Sequence, residues 1–198
     1  ENEDFIRNLA CQAYYDVPAC ALGMPEVAVS IYPNSGRQRI VEILLHYPLE
    51  HTELERQREE LARTLEDLAW ELTGRSGLPV AAAHALLELG EYDPQGGNTV
   101  SSLFDSKAAS SEGLALSYAA LCQQLELPCH VAQGTLDGEP HFWDVVQTED
   151  GWRHIDLSTL GGEVNGETRE NSPLYTCRAL QELGYLWEEG SIPACSEG

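Results

Sequence analysis

The sequence predicts an α+β domain, and three observations carry that prediction. A helix-length apolar segment begins near Ser110, three strand-length segments follow it with no helix between them, and two further strand-like segments lie upstream. One helix packed against an antiparallel sheet is the arrangement such an order produces. A chain of 198 residues with 42% hydrophobic and 8% aromatic content has core material for one domain with embellishments. Its 33 acidic residues against 11 Lys and Arg give a net charge of −22. Nucleic acid is thereby excluded as a partner, because affinity for a polyanion comes mostly from clustered positive charge. The longest apolar stretches, such as Ile43 to Leu45 and Val80 to Ala83, fall far short of the roughly 18 residues a membrane span needs.

The elements follow in order. Residues 1–25 are acidic, are broken by Pro18 and Pro25, and read as an irregular N-terminal strap. Glu26 to Tyr32 and Arg39 to Tyr47 alternate β-branched residues around Pro33-Asn34-Ser35-Gly36 and predict a hairpin. Thr52 and Glu55 have capping-box spacing, and Leu54, Leu61, Leu65, Leu68 and Leu72 then recur at helical spacing until Gly74. A second helix is expected over Val80 to Leu89, ended by Gly96-Gly97-Asn98. Ser110 and Ser111 stand at a helix cap, ahead of a stripe of Leu114, Tyr118, Leu121, Cys122 and Leu125. After Pro128 come strands over Cys129 to Gln133, His141 to Val146 and Trp152 to Leu157. A loop from Gly161 to Ser172, a short helix from Arg178 to Gly184 and an aromatic tail complete the chain. The core is expected over 26–160, with 161–198 an extension packed on it.

Six cysteines form no C-x-x-C pair, and no Asp-x-Asp-x-Asp-Gly loop is present, so no metal and no cofactor is expected. The chain begins at Glu1 without Met, which suits a secreted protein with its signal removed and an oxidising compartment. Cys11–Cys20 and Cys177–Cys195 would each close a short loop near a terminus, although six cysteines allow 15 connectivities. Cys122 and Cys129 read as buried thiols.

Three residues combine chemically: a hydroxyl at a helix N-terminus (Ser111), an imidazole opening a strand (His141) and a carboxylate near the end of the next strand (Asp156). Gln147 to Asp150 is expected as a four-residue hairpin loop, so that Val146 pairs with Gly151 and His141 lies directly opposite Asp156. Their Cβ atoms are then about 4.5–5.5 Å apart, close enough for the carboxylate to fix the imidazole tautomer. The same register sets Asp144 opposite Arg153. A tight loop at Asp150-Gly151 separates His141 and Asp156 by about 13 Å instead.

Ser111-Glu112-Gly113-Leu114-Ala115, Leu127-Pro128-Cys129-His130-Val131, His141-Phe142-Trp143-Asp144 and Trp152-Arg153-His154-Ile155-Asp156 resemble, in order and spacing, the motifs of bacterial transglutaminase-like domains. Those motifs run Cys-Glu-Gly-x-Ala, I/L-Pro-Cys-x-x-V, His-x-Trp-Asn and Trp-x-His-x-Asp. The likeness covers about residues 83–158. More weakly, Gly184 to Trp187 with Pro193-Ala194-Cys195 resembles the end of secreted bacterial members. The resemblance implies a papain-like fold, with a nucleophile heading a helix that packs on the sheet carrying His141 and Asp156. It also implies a cleft involving Glu112, Trp143 and Asp144, and a location outside the cytoplasm.

The sequence departs from the family at the nucleophile, where Ser111 stands in place of Cys, and Asp144 replaces the usual Asn. A thiol with a pKa near 8.5 can be drawn to ~3.5–7.5 at such a site, whereas an alcohol must lose its proton as it attacks. Three readings of Ser111 stand side by side: a serine that leaves the site silent, a serine that attacks with His141 as base and Asp156 as orienter, and a serine introduced to silence a cysteine enzyme. The first makes the chain a pseudoenzyme holding a peptide or cell-envelope ligand, and the second makes it an amide or ester hydrolase or acyltransferase. Blander roles stand beside these: a plain helix cap for Ser111, a turn-bound carboxylate for Asp156 and core packing for Trp143. A third possibility is a vestigial cleft on a protein that serves an assembly.

Overall fold

The computed structural model describes residues 2–34, 36, 38–160 and 173–195. The expected loop from Gly161 to Ser172 lies outside them. The N-terminal strap is largely helical rather than irregular: α1 spans Glu3–Asp16, and a 3-10 turn follows at Pro18–Cys20. Asn2 caps α1 by accepting from the Phe5 N–H, and Glu3 and Asp4 complement the positive end of its dipole.

The hairpin forms from β1 (Glu26–Pro33) and β2 (Arg39–His46), antiparallel in register Val29 to Ile43, with Gly36 at φ 76° in its turn. Every residue of β2 is exposed. Helix α2 (His51–Leu72) buries Leu61, Leu65, Leu68 and Leu72 as its spacing predicts. Its N-cap is Glu50, without a side-chain bond, so Thr52 and Glu55 form no capping box. Glu53 turns forward to Arg56 and Gln57 instead. Next come α3 (Leu78–Leu87), β3 (Glu91–Gly97), the short α4 (Ser102–Ser106) and β4 (Ala108–Ala109), with β3 and β4 paired in parallel. That parallel pair was not expected from the sequence, because its residues alternate no hydrophobic pattern.

Helix α5 (Ser111–Gln124) is the centre of the molecule and is buried continuously from Gly113 to Cys122. The one polar side chain in that stretch with a charge-free hydroxyl and no aromatic ring, Ser117, donates to the carbonyls of Gly113 and Val100. Tyr118 donates to the Pro79 carbonyl, so both hydroxyls are satisfied, as burial demands. Against α5 lies a four-stranded sheet in the order β7-β6-β5-β8, built from β5 (Cys129–Leu136), β6 (Glu139–Thr148), β7 (Gly151–Ile155) and β8 (Tyr185–Trp187). All its pairs are antiparallel. Asp137 and Gly138, both at positive φ (53° and 88°), make the tight turn between β5 and β6. The short helix α6 (Cys177–Glu182) leads into β8.

Alternation along β6 divides the interior in two. Val146 joins Val131, Ile155 and the α5 residues in one cluster, whereas Trp143 and Val145 join Ala132, Leu180 and Tyr185 in another on the opposite face. Among the described residues no helix is long and apolar enough to cross a membrane. All six cysteines are thiols, and no bond joins Cys11 to Cys20.

Candidate functional site

The register of β6 with β7 differs from both registers considered from the sequence. Thr148 pairs with Gly151 and Asp144 with Ile155, so the loop is Glu149-Asp150 and Asp156 lies just past the ladder, level with Trp143. Gly151, at φ 95°, supplies the left-handed residue that closes this turn. His141 is therefore not directly opposite Asp156. The two still meet, with Nε2 of His141 2.7 Å from Oδ2 of Asp156. A register change of two residues leaves each side chain on its own face, and a diagonal neighbour about 7–8 Å away is within reach of an imidazole and a carboxylate together.

Asp156 is bound by four donors. Oδ2 accepts from His141 and from the Tyr185 hydroxyl (2.6 Å), and Oδ1 accepts from the Ser158 N–H (2.9 Å) and the Ser158 hydroxyl (2.7 Å). Burial, reinforced by the adjacent carboxylate, pushes the Tyr185 phenol well above its ordinary range, so it remains a donor. The Ser158 hydroxyl also lies 3.3 Å from His141 Nε2. His141 itself is buried, with the Tyr185 ring edge-on at 5.8 Å. With Nε2 committed to Asp156, Nδ1 is the ring nitrogen left for other work.

Ser111 is the first residue of α5. Ser110 is the N-cap, with its hydroxyl accepting from the Gly113 N–H at 3.3 Å. Gly113 is required there: a Cβ would meet the Gly97 carbonyl oxygen at 2.5 Å. The Ser111 hydroxyl is half-buried and makes no hydrogen bond to a described residue, His141 included. A relay of contacts ties the head of α5 to the start of β6. Glu112 accepts from the Tyr15 hydroxyl (2.9 Å) and from Asn98 Nδ2 (3.3 Å), and the Tyr15 ring stacks on Phe142, the neighbour of His141, at 5.8 Å. Burial raises the Glu112 carboxyl above its ordinary value, although both hydrogen bonds oppose the shift. Tyr92 of β3 lies in the field of Asp156, which helps burial to raise its phenol.

Trp143 and Asp144, expected at a cleft, are both interior. Trp143 is 1% exposed and donates through Nε1 to His154 Nδ1 at 2.9 Å. Asp144 is 0% exposed on the α5 face. Its Oδ1 faces Cys129 Sγ at 3.7 Å, a long contact, and its Oδ2 has no hydrogen-bond partner. The expected pairing with Arg153 does not occur, because Arg153 sits opposite Val146. Burial, and then the nearby Cys122, push the Asp144 carboxyl far above the usual range. Burial there favours the neutral acid over the carboxylate.

No site role for Tyr185, Ser158, Tyr15 or Asn98 was legible in the sequence. Asp156-x-Ser158 is the pattern of a turn in which an Asp side chain binds backbone two residues on, and it could have identified Ser158. Tyr15 carries no such signal, being placed by a helix in a segment that reads as irregular.

No protein-family profile matches the chain, and no curated protein matches it. Among solved structures the chain is similar to a TGase, at 17% identity and a TM-score of 0.50, over 98% of this chain and 58% of that one. The chain thus spans 58% of the length of that protein. It is also similar to the periplasmic domain of TgpA from Pseudomonas aeruginosa, bound to ethylmercury, at 18% identity and a TM-score of 0.40, over 61% of this chain and 56% of that one. The first likeness shows the fold alone: an α+β, transglutaminase-like fold with a central helix on an antiparallel sheet.

Proposed function

We propose that this chain is an extracytoplasmic bacterial transglutaminase-like protein in which Ser111 occupies the nucleophile position, and that it holds a peptide or amide-bearing ligand without turning it over. The observation that carries this reading is the contrast between the two halves of the site. His141 and Asp156 are locked by a network that leaves no carboxylate oxygen unpaired, yet among the described residues no base is hydrogen-bonded to the Ser111 hydroxyl. An alcohol attacks a carbonyl only while a base removes its proton, so the missing bond supports a serine that contacts ligand at a helix end rather than one that reacts. Amide N–H groups at the head of α5 supply donors for a carbonyl oxygen.

A second reading has its own support. The tautomer that Asp156 imposes leaves a lone pair on His141 Nδ1, which is what a general base needs, and catalytic hydrogen bonds often tighten only with substrate bound. Ser111 then attacks an amide or ester carbonyl, His141 takes its proton, and Asp156 holds the imidazolium.

A fluorophosphonate probe separates them. The binding reading expects no labelling of Ser111, together with saturable association of glutamine-containing peptides by calorimetry. Labelling at Ser111 that disappears in His141→Ala establishes the hydrolase instead. Ser111→Cys tests the site's field directly: rapid iodoacetamide alkylation at pH 5.5 is expected if helix end and imidazole still favour a thiolate, and alkylation no faster than that of a free thiol counts against both readings.

A further inference from the structure

On the same face of the sheet as His141, beyond Trp143, lies a second group of reactive atoms that the proposed function does not use. Cys177 opens α6, His154 lies on β7, and Cys195 lies beyond β8, with their nitrogen and sulfur atoms all within 4.8 Å of one another. The tautomer of His154 follows by elimination. An indole N–H only donates, and Trp143 Nε1 is 2.9 Å from His154 Nδ1, so Nδ1 accepts and the ring proton is on Nε2. Burial lowers His154 to about 4 and keeps the ring neutral. Nε2 is 3.3 Å from Cys177 Sγ and donates to it. The backbone N–H of Cys195 donates to the same sulfur at 3.2 Å.

A metal ion would need the reverse arrangement, with a lone pair on Nε2 and a proton on Nδ1, where the indole proton already points. The cluster is built for sulfur chemistry instead. One sulfur faces two N–H donors, and beside it stands a second thiol that burial and Cys177 push up to about 12.

We infer that Cys177 and Cys195 are a redox-active dithiol, with Cys177 the attacking sulfur, and that its oxidation by a low-molecular-weight disulfide clamps the C-terminal segment against α6. With glutathione disulfide as oxidant, the Cys177 thiolate attacks one glutathione sulfur, forms a mixed disulfide and expels the other glutathione as a thiolate. Cys195 then gives its proton to water, and its sulfur displaces the second glutathione to form the Cys177–Cys195 bond. The protein loses two protons and two electrons, and one external disulfide becomes two thiols. β8 lies between the two cysteines in the chain. It carries Tyr185, which donates to Asp156, and Trp187, which packs on Trp143 and His154 with ring centroids 5.9 and 4.9 Å apart. Closing the bond therefore restrains the strand that holds Asp156 from behind. The inference does not depend on whether Ser111 reacts.

The test equilibrates the full chain with graded ratios of reduced to oxidised glutathione, quenches in acid, alkylates and maps the peptides. A cross-linked Cys177–Cys195 peptide is expected in the oxidised arm, with amide exchange over Tyr185–Trp187 at least tenfold slower than in the reduced arm. Cys195→Ser should accumulate a glutathione adduct at Cys177 at least tenfold faster than Cys177→Ser accumulates one at Cys195. Full alkylation of both cysteines after incubation with excess oxidised glutathione overturns the dithiol, and a cross-link that leaves exchange unchanged overturns the clamp. Equal adduct rates overturn the role of Cys177. Zinc retained stoichiometrically by the reduced chain through dialysis, and lost in Cys177→Ser, assigns the cluster to a metal and overturns the proposal.

Discussion

At Asp156 a single carboxylate accepts from an imidazole, a phenol, a hydroxyl and a backbone amide. Hydrogen bonds to an ionised group are worth about 1.5–3 kcal/mol each, so Tyr185→Phe is expected to lower unfolding free energy by about that amount in urea titrations. A loss below about 0.5 kcal/mol would mean that water replaces the phenol. Asp144 presents the opposite situation, a buried acid with one oxygen unpartnered. Its carboxyl titrates above its unfolded value, so the folded state keeps a proton that the unfolded state gives up near pH 4. Stability therefore falls as pH rises from about 4 towards the folded value. Asp144→Asn removes that slope, and wild type should lose stability relative to the variant as pH rises from about 4 to 7. Parallel pH profiles for the two proteins would show that Asp144 is ionised in the fold.

Among the elements, β8 depends on a single glycine. A Cβ at Gly134 would collide with the Leu186 carbonyl oxygen and meet the Trp143 ring at 2.8 Å, so Gly134→Ala must push β8 off β5. The expected result is a loss of about 1–3 kcal/mol, with amide protection lost first at Tyr185–Trp187. Uniform loss across the sheet would instead place β8 within the cooperative core. The sheet also shows what the sequence made legible. Strands β5 to β7 stood out because period-two alternation is a local signal. The meeting of His141 with Asp156 was legible for the same reason, since parity along a strand survives an error of two residues in register. The register itself was not, because Glu149-Asp150-Gly151 admits more than one loop length. Helix α1 was hidden although Ile6, Ala10 and Tyr14 recur at helical spacing, because that stripe is short and buries no residue completely. β3 pairs with β4 only through contacts distant in sequence, which no local window reveals.

Taken as a whole the molecule carries −22 charges on 198 residues. Self-repulsion of that size opposes compaction, and the Debye length falls from about 30 Å at 0.01 M salt to about 8 Å at 0.15 M. The thermal midpoint is therefore expected to rise with sodium chloride across that range, and a flat response would mean that opposite charges are already well interspersed. The sheet divides the interior into two hydrophobic clusters. Ser111 rides on the helix of the first, whereas His141 and Asp156 are fastened among the aromatic rings of the second. The gap between hydroxyl and imidazole thus works as a caliper set by how the two layers seat on their common partition.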